Sequence, residues 1–415
     1  MKVVIVGGVA GGATAAARIR RLNEEAEVVV FERSGYISYA NCGLPYYIGD
    51  VITDSEELTL QTPESFFSRF HVDMKVRHEV LSIHPERKTV SVRNLETGEE
   101  FEEHYDKLLL SPGARPVQPE IPGVGLENLF TLRTVEDTMR IKAYIETHQP
   151  KSVVLAGGGF IGLELAENLR ESGMDVTIVQ RAKQLMNPFD PDMASFIHSE
   201  MRRHGVTLAL GHTVEGFVEK EGGIDVLLKG EDRIHADMGI LAIGVAPDAK
   251  LAGEAGIKLG IKGSIVVNER METSIPDIYA VGDAVQIKNA VSGEEDLISL
   301  AGPANKQGRI AADNICGGNS SYTGAQGSSV IKVFDMTAAT TGLNEKRAKK
   351  LGIDTDKVIL SPMSHAGYYP GGKVMTMKVL FEKETNRLLG AQVVGYEGVD
   401  KRIDVLATAI HAGMK

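Results

Sequence analysis

The sequence is poor in cysteine, with only Cys42 and Cys316 among its 415 residues. Two thiols so far apart give neither a disulfide framework nor the ligand spacing of a metal site, so we expect no bound metal. Unpaired cysteines are typical of reducing compartments. The cytoplasm is therefore the predicted location.

Long apolar runs are also missing. No stretch approaches the ~20 residues that a membrane-spanning helix needs. The apolar start of the chain is not a signal peptide, because its glycines fall where a nucleotide-binding turn needs them. The chain has 45 lysine and arginine residues against 56 aspartate and glutamate residues, for a formal net charge of −11. That balance argues against nucleic acid as the main partner, and we expect neither a nucleic-acid nor a membrane partner.

A first nucleotide-binding unit is predicted at the N-terminus. Residues 2–6 are a β-branched run typical of a buried parallel strand, and a glycine-rich turn then leads into an alanine-rich helix over 13–22. The next strand, 27–31, ends at Glu32, an acid suited to hold ribose hydroxyls. Val9 replaces the usual second glycine of the motif, but the strand, helix and acid all agree with a dinucleotide site.

A second unit of the same kind begins at Lys151. A strand over 152–156 runs into a full G-x-G-x-x-G pattern at 157–162, and a helix is predicted from Leu163. Another strand follows at 175–179. Two such units in one chain predict two dinucleotide sites, which is a stronger indication than either unit alone.

The second unit lacks the acid, because its second strand ends in Gln180 and Arg181. A carboxylate at this position would bind the ribose of NADH and repel the 2′-phosphate of NADPH. Gln180 does not repel that phosphate, and Arg181 could pair with it. A solvated surface charge explains Arg181 equally well. We therefore predict that both nicotinamide cofactors are used, without ranking them.

Other patterns complete the predicted architecture. They indicate a helix at 63–70, a hairpin at 87–102, a strand at 105–113, another at 238–244 within 234–245, antiparallel strands at 329–342, 375–382 and 388–395, and helices at 344–350 and 400–413. The fold class is therefore α/β, with two Rossmann-like dinucleotide-binding domains and a C-terminal α+β domain of a kind that often forms dimers.

Cys42 lies in the stretch Ser-Tyr-Ala-Asn-Cys-Gly-Leu-Pro-Tyr, soon after the first unit. We interpret it as a redox-active thiol, whose pKa must be lowered because the thiolate is the nucleophile. The residues Gly43–Pro45 suggest a helix start whose dipole favours the thiolate. A buried, inert cysteine is the alternative. For Cys316, at a predicted helix end, packing is the favoured interpretation.

Three arginines, Arg18, Arg20 and Arg21, lie on the first predicted helix. Arg18 and Arg21 are three residues apart and share a face. They could pair with phosphates of a substrate near Cys42. A solvated helix face is the alternative.

Several longer motifs combine into one resemblance. They are Gly-Gly-Val-Ala-Gly-Gly-Ala-Thr (7–14), the Cys42 stretch (38–46), Leu-Ser-Pro-Gly-Ala (110–114), Tyr-Ala-Val-Gly-Asp-Ala (279–284), His-Ala-Gly-Tyr-Tyr-Pro-Gly (365–371) and Asp-Lys-Arg-Ile-Asp-Val (400–405). Over essentially its whole length the chain resembles the single-cysteine branch of the flavin disulfide reductases. Within that branch it is similar to CoA-disulfide reductases and to NAD(P)H-dependent CoA-persulfide or polysulfide reductases.

The resemblance implies a homodimeric FAD enzyme that reduces CoA disulfide, CoA persulfide or polysulfide with NADH or NADPH. Electrons would pass from the nicotinamide to FAD, and then to a mixed disulfide between Cys42 and CoA. The freed thiolate would attack the next substrate. The implied domains are an FAD-binding domain (1–115 and 248–322), an NAD(P)H-binding domain (116–247) and a dimerisation domain (323–415).

The resemblance also implies roles for individual residues. FAD contacts are expected at Gly7, Gly11, Gly12, Glu32, Arg33, Asn41, Ser111, Gly113, Arg133, Asp283, and a turn formed by Ala301 and Gly302. NAD(P)H contacts are expected at Gly157, Gly159, Phe160, Ile161, Gly162, Glu164, Gln180, Arg181 and Gly244. CoA contacts are expected at Thr14, Arg18, Arg21, Ser38, Asn41, Asn305, Tyr368 and Tyr369, the two tyrosines reaching into the partner subunit's active site.

Three positions depart from relatives. NADH peroxidases and oxidases of the same fold carry a His in the first glycine loop, where this chain has Ala10, which disfavours peroxide or oxygen as the main substrate. Asn305 replaces a substrate-contacting His, and Phe70 replaces a basic residue. Relatives also continue past this C-terminus with an active-site segment and sometimes a rhodanese domain, so we expect a truncated chain. An NADH oxidase or peroxidase, or a non-catalytic thiol redox sensor, are the alternative functions.

Overall fold

The computed structural model describes residues 1–230 and 232–415, and its elements are labelled here in chain order. The helices are α1 (Ala10–Leu22), α2 (Leu44–Ile48), α3 (Pro63–Phe70), α4 (Val135–His148), α5 (Phe160–Glu171), α6 (Pro191–Arg203), α7 (Lys250–Glu254), α8 (Ala301–Ile315), α9 (Glu345–Lys350) and α10 (Val399–His411).

The strands are β1 (Lys2–Val6), β2 (Glu27–Glu32), β3 (Asp73–Val76), β4 (His78–His84), β5 (Thr89–Asn94), β6 (Glu100–His104), β7 (Lys107–Leu110), β8 (Ala114–Pro116), β9 (Leu129–Thr131), β10 (Ser152–Ala156), β11 (Asp175–Gln180), β12 (Thr207–Leu210), β13 (Val214–Lys220), β14 (Gly223–Leu228), β15 (Arg233–Ala236), β16 (Met238–Leu241), β17 (Val245–Pro247), β18 (Ile278–Ala280), β19 (Ile287–Lys288), β20 (Glu295–Asp296), β21 (Ser329–Val333), β22 (Met336–Gly342), β23 (Thr355–Leu360), β24 (Met375–Glu382) and β25 (Leu388–Gly395).

The first sheet is parallel and has the order β18-β7-β1-β2-β3. Its central strand β1 pairs with β2 and β7 and is almost wholly buried, as a β-branched run predicts for a strand covered on both faces. The strands β4, β5 and β6 form a small antiparallel sheet beside it. The hairpin predicted at residues 87–102 is confirmed as β5 and β6.

Two helices begin earlier than predicted. α1 starts at Ala10, inside the predicted glycine turn, and α5 starts at Phe160 rather than Leu163. Glycine is a weak helix former, yet Gly11 and Gly12 are buried in the first turn of α1. Tertiary packing thus overrides propensity there. The turn predicted at Ala301–Gly302 is also wrong, because these residues open α8.

The second sheet repeats the parallel design in the order β12-β11-β10-β16-β9. Of the strand predicted within 234–245, residues Met238–Leu241 form β16 as expected. The chain bends at Asp237, so residues 233–236 form a separate strand, β15, and β17 begins only at Val245. The Asp237 carboxylate accepts hydrogen bonds from the backbone N–H groups of Lys151 and Ser152, at 2.5 and 2.9 Å. This side-chain anchor ends β15 and starts β16 beside β10.

The chain passes between the two parallel sheets at one place. The chain leaves the first sheet through β8 and comes back to it through β17. These two short strands pair with each other in antiparallel orientation. The domain bounds inferred above, 1–115 with 248–322, 116–247 and 323–415, stay a prediction.

The C-terminal sheet is antiparallel, in the order β21-β22-β25-β24-β23. The strands predicted at 375–382 and 388–395 are confirmed, and 329–342 forms the hairpin of β21 and β22. β23 was not predicted. It is a mostly exposed edge strand, so its sequence carries no alternation of buried and exposed residues.

Buried charges join this sheet to the second parallel unit. The Lys378 side chain is 1% exposed, and its ammonium lies 3.0 Å from Asp190 and 2.9 Å from Asp192 and also contacts Glu345. Gln392 donates to the Asp190 carboxylate at 2.7 Å. A buried lysine needs such partners, because an unpaired charge in the interior is costly.

No described helix combines the length and the apolar character that crossing a bilayer requires.

The packing of α1 on α8 yields a stability prediction. A β-carbon at Gly308 would stand 2.5 Å from the Gly11 carbonyl oxygen, so Gly308→Ala forces the helices apart. We expect a loss of about 1–3 kcal/mol, as for other overpacked sites, visible as a lower Tm by circular dichroism. Gly125→Ala is the control, since that position is open. Equal Tm values for the two variants would contradict the packing argument.

Candidate active site

The first glycine loop has no room for side chains. Gly7 has a φ of +97°, and a β-carbon there would lie 2.1 Å from the Ser111 carbonyl oxygen. A β-carbon at Gly12 would lie 1.9 Å from the carbonyl oxygen of Gly7. The ends of β1 and β7 and the start of α1 therefore meet backbone to backbone.

Glu32 is fixed beside this loop. Its buried carboxylate accepts the N–H of Gly8 and that of Ser34, each at 2.8 Å. Val9, the N-cap of α1, makes no side-chain cap hydrogen bond, so the first N–H groups of the helix stay free for an anion. A dinucleotide with its pyrophosphate at α1 and its ribose near Glu32 fits this arrangement.

The other residues expected to hold the flavin continue from that loop. Gly11 and Gly282 both approach the Ser111 hydroxyl. Asp283, next to Gly282, pairs with Arg133 at 2.8 Å. The Arg133 Nε donates to the Ala114 carbonyl oxygen at 3.1 Å.

The remaining members of this group have separate positions. Gly113, with a φ of +74°, packs against the Arg133 guanidinium. Arg33 is bonded to Asp248 at 2.8 Å. Ala301 and Gly302 open α8, which has no side-chain N-cap bond.

The second glycine loop repeats the first. Gly157 has a φ of +120°, and a β-carbon there would lie 2.2 Å from the Ala242 carbonyl oxygen. A β-carbon at Gly162 would lie 2.1 Å from the Gly157 carbonyl oxygen. Gly159 caps α5 without a side-chain bond and faces open space, while Phe160 and Ile161 form the first turn. Gly244 has a φ of +118°.

Gln180 stands at the end of β11, where Glu32 stands at the end of β2. Its Oε1 accepts the Gly158 N–H at a long 3.4 Å, and its Nε2 donates to the Gln184 carbonyl oxygen. Arg181 is exposed and forms no ion pair with any described residue. The end of β11 thus carries an uncharged side chain, Gln180, where the end of β2 carries the carboxylate of Glu32.

Cys42 lies on a short 3-10 helix, Asn41–Gly43, that leads into α2. The predicted helix start is confirmed, while the protein around the thiol opposes the thiolate. The pKa of Cys42 is raised, because burial and then the Glu164 carboxylate oppose the thiolate, and Arg133 offsets only part of this. Although the residue is solvent-accessible, enough protein surrounds it for desolvation to dominate.

Three neighbours of Cys42 complete the local environment. Burial and the nearby Glu167 raise the pKa of Glu164 to about 7. Burial, with Glu164 as the next cause, raises the pKa of Tyr46 to about 12. The Asn41 Oδ1 atom is buried and has no hydrogen-bond partner among the described residues. An unpaired buried acceptor beside the thiol indicates a ligand with a donor group.

The three arginines of α1 have different environments. Arg20 is bonded to backbone carbonyls, including those of Phe70 and His71 at 2.9 Å each, and so holds α3 in place. Arg21 lies over the Phe70 ring, 5.5 Å from its centroid. Arg18 pairs with Asp313 at 2.8 Å. Of the three arginines, Arg20 therefore has a structural role.

The other residues expected to contact CoA lie in two regions. Thr14 donates to the Asn305 Oδ1 at 2.9 Å, which brings α1 and α8 together. Ser38, with a φ of +45°, donates its N–H to the Gly8 carbonyl oxygen. Tyr368 and Tyr369 lie far along the chain, on the connection between β23 and β24, and are 92% and 67% exposed.

Several residues at the site were not predicted. Gln307 accepts the Gly282 N–H at 2.7 Å, Asp248 holds Arg33, and Asp313 holds Arg18. Each supports a predicted residue from a distant part of the chain. No local sequence pattern signals such a contact.

Comparisons with known proteins agree with this geometry. Residues 1–308 match the sequence model of the pyridine nucleotide-disulphide oxidoreductases, and residues 328–415 match the dimerisation domain of that family. The coenzyme A disulfide reductase of Staphylococcus aureus is 37% identical over 412 residues, which is 99% of this chain and 92% of the relative.

Solved structures give the same result. The reduced Bacillus anthracis CoADR-RHD is 51% identical with a TM-score of 0.98, over 100% of this chain and 74% of that one. The NAD-dependent persulfide reductase from A. fulgidus is 36% identical with a TM-score of 0.97, over 100% and 77%. The water-forming NADH oxidase from Lactobacillus brevis is 30% identical with a TM-score of 0.95, over 100% and 91%. These similarities confirm the predicted fold class.

The environment of Cys42 yields a prediction. Glu164→Gln is expected to lower the pKa of Cys42, because it removes a carboxylate that opposes the thiolate. The difference should appear above about pH 7, where Glu164 is ionised. Alkylation by iodoacetamide against pH, in flavin-stripped protein with Cys316→Ser, measures this pKa.

The matched control for that experiment is Glu171→Gln on the same helix. Glu171 acts on Tyr46 but is not among the charges acting on Cys42. An alkylation midpoint in Glu164→Gln at or above that of the unmodified chain would show that Glu164 does not govern the thiol.

Proposed function

The chain belongs to the pyridine nucleotide-disulphide oxidoreductase family, and from this premise we propose that it reduces CoA disulfide, CoA persulfide or polysulfide with NADH or NADPH. The observation that carries the proposal is the position of Cys42. It follows the first nucleotide unit in the chain, and Leu44 and Ile48 of α2, directly after it, are buried in one hydrophobic core with Leu163 of α5 in the second unit. A single thiol between two nucleotide units suits a relay of electrons.

The residues of the two loops fit the two cofactors. FAD would lie at the α1 N-terminus, with Glu32 at its ribose and Asp283 with Arg133 farther along it, while Asn41 offers its unpaired oxygen to the same ligand or to CoA. NAD(P)H would lie at the α5 N-terminus, with Phe160 and Glu164 toward the nicotinamide. When bound, FAD accepts a hydride from the nicotinamide and passes an electron pair to a sulfur.

Cys42 performs the exchange with the substrate. Its thiolate attacks one sulfur of CoA disulfide, which breaks the S–S bond, releases one CoA thiolate and leaves a mixed disulfide on Cys42. Two electrons, which bound FAD would supply, and one proton then cleave that mixed disulfide, releasing the second CoA thiol and restoring the Cys42 thiolate. With a persulfide the leaving group is sulfide or the CoA thiol. Only one cysteine is required, in keeping with the distance of Cys316 along the chain.

CoA would be held along α1 and by the partner subunit. Thr14, Arg18, Arg21, Ser38, Asn41 and Asn305 are the proposed contacts in one chain. We propose a homodimer in which Tyr368 and Tyr369 reach the partner's site. Their exposure supports this, as does that of Val358, Ile359 and Leu360 on the neighbouring edge strand β23, since such apolar patches mark interfaces. Both cysteines are free thiols, which supports the cytoplasm as the compartment.

A water-forming oxidase is the second candidate, because solved oxidases share this fold closely. Ala10 in the first loop argues against it, since oxidases and peroxidases that resemble this chain carry a His there. Steady-state oxidation of NADH and NADPH, measured with CoA disulfide, CoA persulfide, polysulfide or oxygen as acceptor, separates the two. Rapid oxidation under oxygen that CoA disulfide leaves unaffected would favour the oxidase, and slow turnover with every acceptor a redox sensor.

The exchange mechanism predicts the effect of Cys42→Ser. Disulfide reduction should fall by at least about 10³-fold, because a hydroxyl cannot form the mixed disulfide. FAD should remain bound in normal amount, as its absorption spectrum would show. Cys316→Ser is the matched control and should keep the rate, since Cys316 packs at the end of α8. Wild-type rates in Cys42→Ser would refute the mechanism.

The neutral second site predicts how cofactor use responds to charge. Gln180→Glu places a carboxylate where the 2′-phosphate of NADPH would lie, so kcat/KM for NADPH should fall about tenfold or more, equal to ~1.4 kcal/mol. The value for NADH should hold or rise, and it serves as the internal control. Equal losses for both cofactors would instead indicate general damage to the loop.

A further inference from the structure

Arg18 is held by a carboxylate that no sequence pattern predicted. The Arg18 Nε donates to the Asp313 Oδ1 at 2.8 Å, and the Ser320 hydroxyl donates to the Asp313 Oδ2, also at 2.8 Å. Ser320 is itself anchored, because its N–H and carbonyl oxygen both bond to the Asn314 side chain. Asp313 is therefore fixed from two sides before it meets the arginine.

The geometry of this pair leaves most of the guanidinium available. Arginine has five N–H donors in a planar fork, and Asp313 takes only the one on Nε. Within the described residues, neither Nη group of Arg18 donates to any protein atom. The Arg18 side chain remains 37% exposed. Two NH₂ groups in a fixed plane match the oxygens of a phosphate.

A purely structural role explains the pair less well. α1 and α8 are already joined by the close approach of Gly11 to Gly308 and by the bond of Thr14 to Asn305. Partly exposed ion pairs add little to stability. Arg20 shows what a structural arginine looks like here, since its donors are taken by backbone carbonyls.

We propose that Asp313 is a positioning residue that orients Arg18, so that both Nη groups meet a phosphate of the CoA moiety. The inference rests on the proposed function, which places CoA along α1. Asp313 itself touches no substrate. It acts by fixing in advance a side chain that would otherwise lose its rotamer freedom on binding.

Kinetics with two disulfides test the proposal, since pantethine carries the same disulfide as CoA disulfide but no phosphate. In Asp313→Asn the ratio of KM for CoA disulfide to KM for pantethine should rise about 5–20-fold, the cost of a weakened bond to a charged group. The kcat for CoA disulfide should stay within about twofold. Ser320→Ala should shift the ratio the same way by less.

Calorimetric binding of CoA to the FAD-loaded enzyme provides a readout apart from activity. Asp313→Asn should weaken the Kd by a similar factor. Arg18→Ala should weaken it further, and adding Asp313→Asn to Arg18→Ala should cost nothing more, because Asp313 acts only through Arg18. Asp175→Asn is the matched control, because it removes the carboxylate of another Arg–Asp pair, Arg170–Asp175, at the start of β11.

The outcomes are distinct. An unchanged KM ratio and an unchanged Kd in Asp313→Asn, with active wild type, would overturn the proposal and leave the function intact. Additive losses in the double variant would also overturn it, in favour of a structural role. If wild type reduces neither disulfide, the proposed function fails, and the calorimetric comparison still decides whether Asp313 governs CoA binding.

Discussion

The architecture depends on two places where backbone meets backbone without a side chain between. Gly12 lies against the carbonyl oxygen of Gly7, and Gly162 lies against that of Gly157 in the same way, each with room for a hydrogen only. This contact brings a helix N-terminus directly up to the end of a buried strand. Unsatisfied N–H groups then point into the space beyond the sheet, where a pyrophosphate can accept them. Both nucleotide sites follow from that single steric condition.

The third sheet is tied to the second unit by charges that are costly to bury alone. Lys378 lies among Asp190, Asp192 and Glu345, and Glu167 of α5 accepts the Phe334 N–H at 2.8 Å and pairs with Lys332. Buried pairs of this kind add little net stability, but removing one partner is strongly destabilising. They fix how α5, which carries Phe160 and Glu164, sits against the C-terminal sheet.

Sequence reasoning succeeded where the signal was local and failed where it was spatial. The glycine loops, Glu32, and the strands at 375–382 and 388–395 all follow from spacing and periodicity, and the structure contains them. The environments of Arg18 and Arg20 do not follow, because Asp313 and the end of α3 reach them from distant segments. The exposed edge strand β23 lacks any periodic pattern at all. Contacts between residues far apart in the chain produce no pattern that can be recognised in a single sequence.

The pKa of the Cys42 thiol also depends on contacts between distant segments, and this dependence has a chemical consequence. The helix start predicted after Cys42 is confirmed, but burial and the Glu164 carboxylate, which lies far along the chain, raise the pKa of the thiol. Arg133, whose positive charge favours the thiolate, is already paired with the Asp283 carboxylate. In the chain alone burial and Glu164 thus oppose the thiolate, and a partner bound beside Cys42 would offset them. Reactivity that depends on a bound partner keeps an accessible thiol from reacting indiscriminately, since nucleophilicity resides in the thiolate.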